Sequence, residues 1–311
     1  MLDVCLMGTG GSIPKLERWL ASALIRHCGD SLIIDCGEGT QLAMKKTGYT
    51  FKQIGLILIT HFHADHISGL PGMLLSMGNE GRCDPVTIAG PRGLSRVVSS
   101  LCVIAGGLPF TVFVYEFPNE GGELPSEYFT TGKGSTPSLK IKAFPAHHSM
   151  PCLGYRIELP RAGKFDPMRA KAENIPVKFW GTLQRGETVT DGEREYQPSD
   201  VLGEPREGIS VGYVTDSRPT DMIASAVDGC DLLICEGMFD NSKTERALKS
   251  RHMTASEAAG IAKAANAGRL WLTHYSPSIP DPSVCLAEAR AVFENTTAGH
   301  DGMAELLRFP E

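Results

Sequence analysis

At 311 residues, 42% hydrophobic and 21% charged, the chain can bury a large core as one two-layered domain or two fused halves. Its formal net charge of −6 argues against a surface coated in nucleic acid, and no basic segment leading into an apolar run opens it, nor is any apolar stretch long enough to cross a bilayer, so export and membrane insertion are disfavoured and the cytoplasm is expected. Nine cysteines, an odd number without a Cys-x-x-Cys pair, sit largely in apolar contexts such as Leu233-Ile-Cys235 and read as reduced, mostly buried thiols.

In chain order, Gly8-Thr-Gly-Gly11 lacks a following Gly-Lys-Ser/Thr and reads as a tight strand-to-loop turn, not a phosphate cradle. β-Rich runs at 31–34, 55–59, 86–88, 111–114, 211–214, 231–234 and 270–273 alternate with helical stretches such as 255–265, a mixed α/β pattern. Turn-rich residues at 118–122 and 132–137 read as loops. No internal repeat or low-complexity tract is evident, and periodicity alone goes no further.

Directly after the apolar run 55–59 stands Thr60-His61-Phe62-His63-Ala64-Asp65-His66. Three imidazoles and a carboxylate in six residues suit a borderline divalent ion such as Zn²⁺, Mn²⁺ or Fe²⁺. His61 and His63, alternating at a strand end, can face one ion, while Asp65 and His66 face a second site. The competing reading is a solvated polar loop rich in histidine.

The pattern His-x-His-x-Asp-His after an apolar strand resembles the metallo-β-lactamase superfamily of hydrolases. Leu6-Met-Gly-Thr-Gly-Gly-Ser-Ile-Pro14, Ile34-Asp-Cys-Gly-Glu-Gly-Thr-Gln41, Gly69-Leu-Pro-Gly-Met73, Gly90-Pro91, His148-Ser-Met-Pro-Cys-Leu-Gly-Tyr-Arg156 and Leu272-Thr-His-Tyr-Ser276 follow in order and resemble ribonuclease Z over essentially the whole chain. That resemblance implies an α/β fold of the αββα sandwich type, two mixed β-sheets flanked by helices. The metal centre would lie in a cleft at one edge. It further implies one hydrolase domain over 1–311, with a candidate substrate-binding arm at about 158–200.

Carried over residue by residue, the resemblance gives one ion His61, His63 and His148, and the other Asp65, His66 and His274, with Asp216 bridging. A bridging carboxylate suits two cations roughly 3.5–4 Å apart. Two ions would lower the pKa of a water between them and polarise the phosphoryl oxygen it attacks. Asp65 matches the acceptor of that water's proton, His252 the acid that protonates the leaving oxygen, and Glu236 the carboxylate that orients it. From the residues alone, His252 also reads as a helix-start residue and Glu236 as a surface acid. Asp35 is equally a strand-end turn residue or a carboxylate behind a metal-bound histidine. His147 adjoins His148 and reads as a surface or supporting contact, while His27 and His300 have no motif context.

Four departures from the family pattern bear on substrate: Trp19 for asparagine, Cys235 in the Cys-Glu-Gly-Met run, Ser278 for arginine, and Val177 where a Gly-Pro pair is usual. Residues 161–185 hold Arg161, Lys164, Arg169, Lys171, Lys178 and Arg185 against Asp166 and Glu173, with Phe165, Phe179 and Trp180 interleaved. This stretch corresponds to the family's RNA-gripping arm, a solvated connector being the alternative. The expected activity is endonucleolytic 3′ processing of precursor tRNA by a homodimeric enzyme with two divalent ions, Zn foremost. A hydrolase of small phosphodiesters or other esters, and a non-catalytic RNA-binding protein, are the alternatives.

Overall fold

Along β1 (Leu2–Gly8), Leu2, Val4 and Leu6 face one way and Cys5 and Met7 the other, and all five are buried. A strand with two apolar faces needs cover on both sides, and the fold supplies it in layers. The structure is a computed structural model that describes residues 1–129, 131 and 138–310. The remaining strands are β2 (Ser22–His27), β3 (Asp30–Ile34), β4 (Ile54–Leu58), β5 (Val86–Gly90), β6 (Val112–Glu116), β7 (Gly122–Glu123), β8 (Lys140–Ala146), β9 (Cys152–Arg161), β10 (Val189–Thr190), β11 (Glu195–Tyr196), β12 (Arg206–Val214), β13 (Leu232–Glu236), β14 (Leu270–Thr273), β15 (Thr296–Ala298) and β16 (Met303–Leu307).

Two mixed seven-stranded sheets result, in the orders β16-β1-β2-β3-β4-β5-β6 and β15-β14-β13-β12-β9-β8-β7. Each is antiparallel on one side and parallel on the other, from β3 to β6 in the first and from β12 to β15 in the second. Alternation of side chains along the strands sends one face of each sheet into a shared core, where Val4, Ile25 and Leu56 meet Ile157, Val211 and Ile234. The opposite face of the first sheet is covered by the helices Thr40–Thr47, Leu70–Asn79 and Leu94–Leu101 through Met44, Leu74 and Val98. That of the second is covered by Asp221–Ala226, Ala255–Ala264 and Ser283–Arg290 through Ile223, Ala258 and Cys285. This is the expected αββα sandwich. The helix at 255 starts where its sequence provides a reciprocal cap, Thr254 accepting from Glu257 N–H while Glu257 accepts from Thr254 N–H.

The predicted strands fall within two residues of those observed, except that β12 starts at Arg206, well before the predicted 211; β1, β2, β8, β9, β10, β11, β15 and β16 carry no assignment. The loop at 118–122 is a turn closed by Gly121 N–H to the Pro118 carbonyl, with Gly122 already in β7. The loop at 132–137 lies outside the described residues.

Between β9 and β12 the chain leaves the sandwich and builds a small core of its own. Helices Pro167–Ala172 and Val177–Gln184 and the β10–β11 hairpin bury Ala170, Ile175, Leu183, Tyr196 and Val201. Phe165, Phe179 and Trp180 pack against that core: Phe165 and Trp180 are 5.4 Å apart, Phe179 and Tyr196 5.8 Å, and Trp180 donates to the Ile175 carbonyl. The interleaved aromatics therefore hold the segment together.

Candidate metal centre

β3, β4, β12 and β14 end at one edge of the sandwich, and one or two residues past the end of three of them stands a non-glycine with positive φ: Asp35 (63°), Asp216 (52°) and His274 (57°). Asp and His tolerate this left-handed geometry better than most residues, and three instances at one edge mark a place where the backbone is bent to aim side chains. Beneath the motif the two sheets are tied together. Tyr155 Oη donates to the Ile59 carbonyl at 2.6 Å, and Leu153 N–H to that of Thr60 at 3.0 Å.

His61, His63, Asp65, His66, His148, Asp216 and His274 all converge here. His63 Nδ1 lies 2.9 Å from His61 Nε2 and 3.3 Å from His148 Nε2, and Asp216 Oδ2 is 3.6 and 3.7 Å from those two Nε2 atoms. On the other side His66 Nε2 and His274 Nε2 are 3.2 Å apart, with Asp65 Oδ2 at 3.5 and 3.6 Å from them and Asp216 Oδ1 at 3.3 and 3.2 Å. The two oxygens of Asp216 thus face two separate sets of donors.

These residues fit divalent cations on their own geometry. Asp216 Oδ1 is buried and accepts no hydrogen bond among the described residues, and ring nitrogens of facing histidines crowd to 2.9 and 3.2 Å, where lone pairs on both would repel. A divalent cation held among these donors would resolve both conflicts. Burial and the neighbouring histidines hold His61 well below the ordinary imidazole range, and burial lowers His148. Against its own burial, His274, His66 and His61 keep the Asp216 carboxyl well below the usual range.

Behind this layer stand groups that set the ring tautomers. Asp35 accepts from Thr60 N–H at 2.8 Å and Thr60 Oγ1 at 2.9 Å, and its Oδ2 is 2.8 Å from His66 Nδ1, which leaves His66 Nε2 for the centre. Of the two sequence readings of Asp35, the geometry matches the supporting carboxylate. His148 Nδ1 is 3.1 Å from the Arg251 carbonyl, and Arg251 Nη1 donates to the His148 carbonyl at 2.7 Å. Ser12 N–H donates to Asp65 Oδ2 at 2.7 Å. The glycine turn comes so close to the centre that a Cβ on Gly11 would sit 2.8 Å from the His274 ring. Thr60, Ser12 and Arg251 went unpredicted, because two of them act through backbone atoms that no residue type advertises.

His252 is 8% exposed at the same cleft, its ring 5.6 Å from that of His274. Its Nδ1 lies 2.9 Å from Glu236 Oε2, and Glu236 Oε1 accepts from Ser217 N–H at 2.6 Å. Glu236 is fully buried, which excludes the surface-acid reading. Burial pulls the His252 imidazole down, but the Glu236 carboxylate outweighs it and pushes it up to about 9. His147 has an exposed side chain and contributes its backbone, to Ser217 Oγ and Arg218 N–H. His27 contacts the Met1 carbonyl through Nδ1, and His300 is exposed.

The departures occupy ordinary structural places. Cys235 is buried among the outer helices of the second sheet, Trp19 N–H donates to Asp301, Ser278 Oγ accepts from Lys243 Nζ, and Val177 is exposed at a helix start. In the arm, Lys164, Lys171 and Lys178 are exposed, Lys178 lying over Phe179 at 4.6 Å. Arg161 and Arg169 are engaged with carbonyls, of Pro310 for the first and of Leu202 and Ser199 for the second. The +4 excess of 161–185 is offset by its continuation, 186–204, where Glu187, Asp191, Glu193, Glu195, Asp200 and Glu204 face Arg194 alone. The arm is close to neutral, with its free lysines on the helical half.

Two family models match parts of the chain, "Anti-Pycsar protein Apyc1" over residues 2–97 and "Beta-lactamase superfamily domain" over 175–275. Among solved structures, the short form of human tRNase Z is 23% identical with a TM-score of 0.66, covering 99% of this chain and 100% of that one. Curated relatives are nearer: ribonuclease Z of Lachnospira eligens is 47% identical over 100% of this chain and 99% of its own length, and that of Agathobacter rectalis 46% over all of both. Identity at this level along the full length of both partners, on a sandwich whose edge gathers the motif histidines, makes this chain a member of the ribonuclease Z family.

Proposed function

We propose that the chain is a dinuclear metal-dependent phosphodiesterase that cuts precursor tRNA on the 3′ side, leaving a 3′ hydroxyl. The observation that carries this reading is Asp216, whose two oxygens face two different donor sets, His61, His63 and His148 on one side and Asp65, His66 and His274 on the other. Divalent cations held there, zinc foremost given the imidazole-rich donors, would supply Lewis acidity toward a phosphate and hydroxide near neutral pH. The protein's own residues do the rest. Asp65, which accepts from Ser12 N–H, would take a proton from the attacking water. His252, oriented by Glu236 through Nδ1, keeps Nε2 for donating a proton to the departing ribose oxygen, a poor leaving group without it.

The family's relatives named ribonuclease Z support RNA as substrate. The exposed lysines of the arm support a role for 158–200 in binding it, as an appendage to one catalytic domain spanning 1–311. Arg206 begins β12 and Asp216 follows its end, so the root of the arm is roughly 30 Å from the centre of the same chain. That separation supports a homodimer in which one arm holds RNA presented to the other centre. Nine free cysteines support a reducing compartment, the cytoplasm. The test is cleavage of precursor tRNA by the purified protein with Zn²⁺ or Mn²⁺ restored. A 3′-hydroxyl product at the end of the acceptor stem is expected; turnover of small diesters with intact tRNA left uncut would overturn the tRNA assignment.

A further inference from the structure

Where the arm joins the sandwich, at the opposite end of β12 from Asp216, a cavity of about 520 Å³ is lined by His27, Arg161, Lys164, Phe165, Gln184 and Arg206 among others. Among the described residues no carboxylate lines it, in a chain whose net charge is −6. Arg161 and Arg206 are direct cross-strand partners of β9 and β12. Like charges set opposite each other in a sheet repel, and this pair is kept without a neutralising side chain among the described residues. Each guanidinium is fixed there by a single carbonyl. Arg161 Nη1 donates to Pro310 at 2.6 Å while its plane lies 5.0 Å over the Phe309 ring, and Arg206 Nε donates to Ala162 at 3.0 Å. A guanidinium carries five N–H donors, so most of those on both arginines remain available beside the cavity.

We propose that this groove is a phosphate-binding site, with Arg161 and Arg206 gripping the anion and Lys164 adding charge. Paired forks of N–H donors match phosphate oxygens in a way that a lysine cannot. The phosphate has two possible sources, the backbone of the RNA substrate or a free phosphate compound. The RNA source rests on the function proposed above; the free-phosphate source does not. At roughly 30 Å from Asp216, the groove is beyond the reach of a small diester bound at the metal centre of the same chain.

The test uses the metal-loaded full-length protein, its Arg161→Gln/Arg206→Gln variant, and the charge-preserving Arg161→Lys/Arg206→Lys variant. Small-diester turnover equal to wild type establishes that a variant is folded; Lys164→Glu, at an exposed position, serves if the double variants do not fold. Titration with inorganic phosphate is expected to show two sites per chain in wild type, one of them at the metal centre, and one in the glutamine variant. KM for precursor tRNA is expected to rise about tenfold, with a log–log salt slope shallower by about two, and the lysine variant to recover the slope but not the full affinity. Loss of the second phosphate site with unchanged RNA KM assigns the groove to free phosphate, and a raised RNA KM with unchanged stoichiometry assigns it to the backbone. If neither changes, the proposal is overturned. A wild-type protein that fails to cut tRNA defeats the proposed function, while the phosphate stoichiometry still decides the groove.

Discussion

His252 Nδ1 lies 2.9 Å from Glu236 Oε2, and the other oxygen of that buried carboxylate is taken by Ser217 N–H. Glu236 therefore fixes which face of the imidazole is free, and its charge decides how firmly the proton is held. Replacing His252 by alanine should leave the metal content intact and lower turnover of precursor tRNA by roughly 10²–10⁴. Diesters with good leaving groups should lose far less, since they need no proton. Equal losses on activated and unactivated substrates, measured side by side, would remove His252 from the acid role.

The same pair predicts a pH effect. The Glu236 carboxylate pushes His252 up to about 9, so His252 holds its proton below that pH and loses it above. In Glu236→Gln the larger raising charge is gone, leaving that of Asp216, while burial still lowers the imidazole, so the alkaline limb of kcat should move to lower pH. The difference between the wild-type and variant profiles, both measured with metal restored, is the readout. The linked stability has the same sign: it is full below the unfolded imidazole pKa and falls away as pH rises toward about 9. An alkaline limb that stays in place in the variant would contradict this coupling.

Asp35 holds His66 from behind, its Oδ2 2.8 Å from His66 Nδ1, with Thr60 occupying the same carboxylate. Asp35→Asn should weaken metal binding at the set containing His66 by roughly 10–100-fold, as losses of such partners do, and leave the His61 set closer to its original affinity. Stepwise metal titration separates the two. Uniform loss at both sets would indicate general unfolding of the edge.

In the arm, the lysines and the aromatics should behave differently. Neutralising Lys164, Lys171 and Lys178 should weaken precursor-tRNA binding and flatten its salt dependence while sparing small-diester turnover. Leu183→Ala, in the arm's own core, should cost that core about 2–5 kcal/mol and show as faster proteolysis within 162–205. A lysine variant that loses both activities together would make the segment a structural part of the catalytic domain.

How much could be read beforehand depended on whether a residue's partner was near it in sequence. His61, His63, Asp65 and His66 stand within six positions, so their convergence is local and visible. Asp216 and His274 reach them only because β12 and β14 end at the same edge, and it was the family resemblance, not spacing, that pointed to them. Periodicity finds β3, β4, β5, β6, β13, β14 and the end of β12, whose runs are largely apolar, but passes over β1 and β2, interrupted by Asp3 and Arg26, and over β9, the start of β12 and the edge strand β16, where exposed and buried positions mix. Composition also misjudged the arm: three aromatics among six cations suggest a stacking surface, yet an excursion of roughly forty residues needs a core to stay folded, and those rings supply it.

In the proposed centre one carboxylate, Asp216, serves two metal ions. Elemental analysis of the purified, metal-saturated protein tests it most directly. Wild type should hold two divalent ions per chain, and Asp216→Ala, which removes a donor from both sets at once, should hold no more than one while His252→Ala keeps two. Saturation of the wild type at a single ion, or an Asp216→Ala protein that retains both, would contradict the bridge and the dinuclear chemistry built on it.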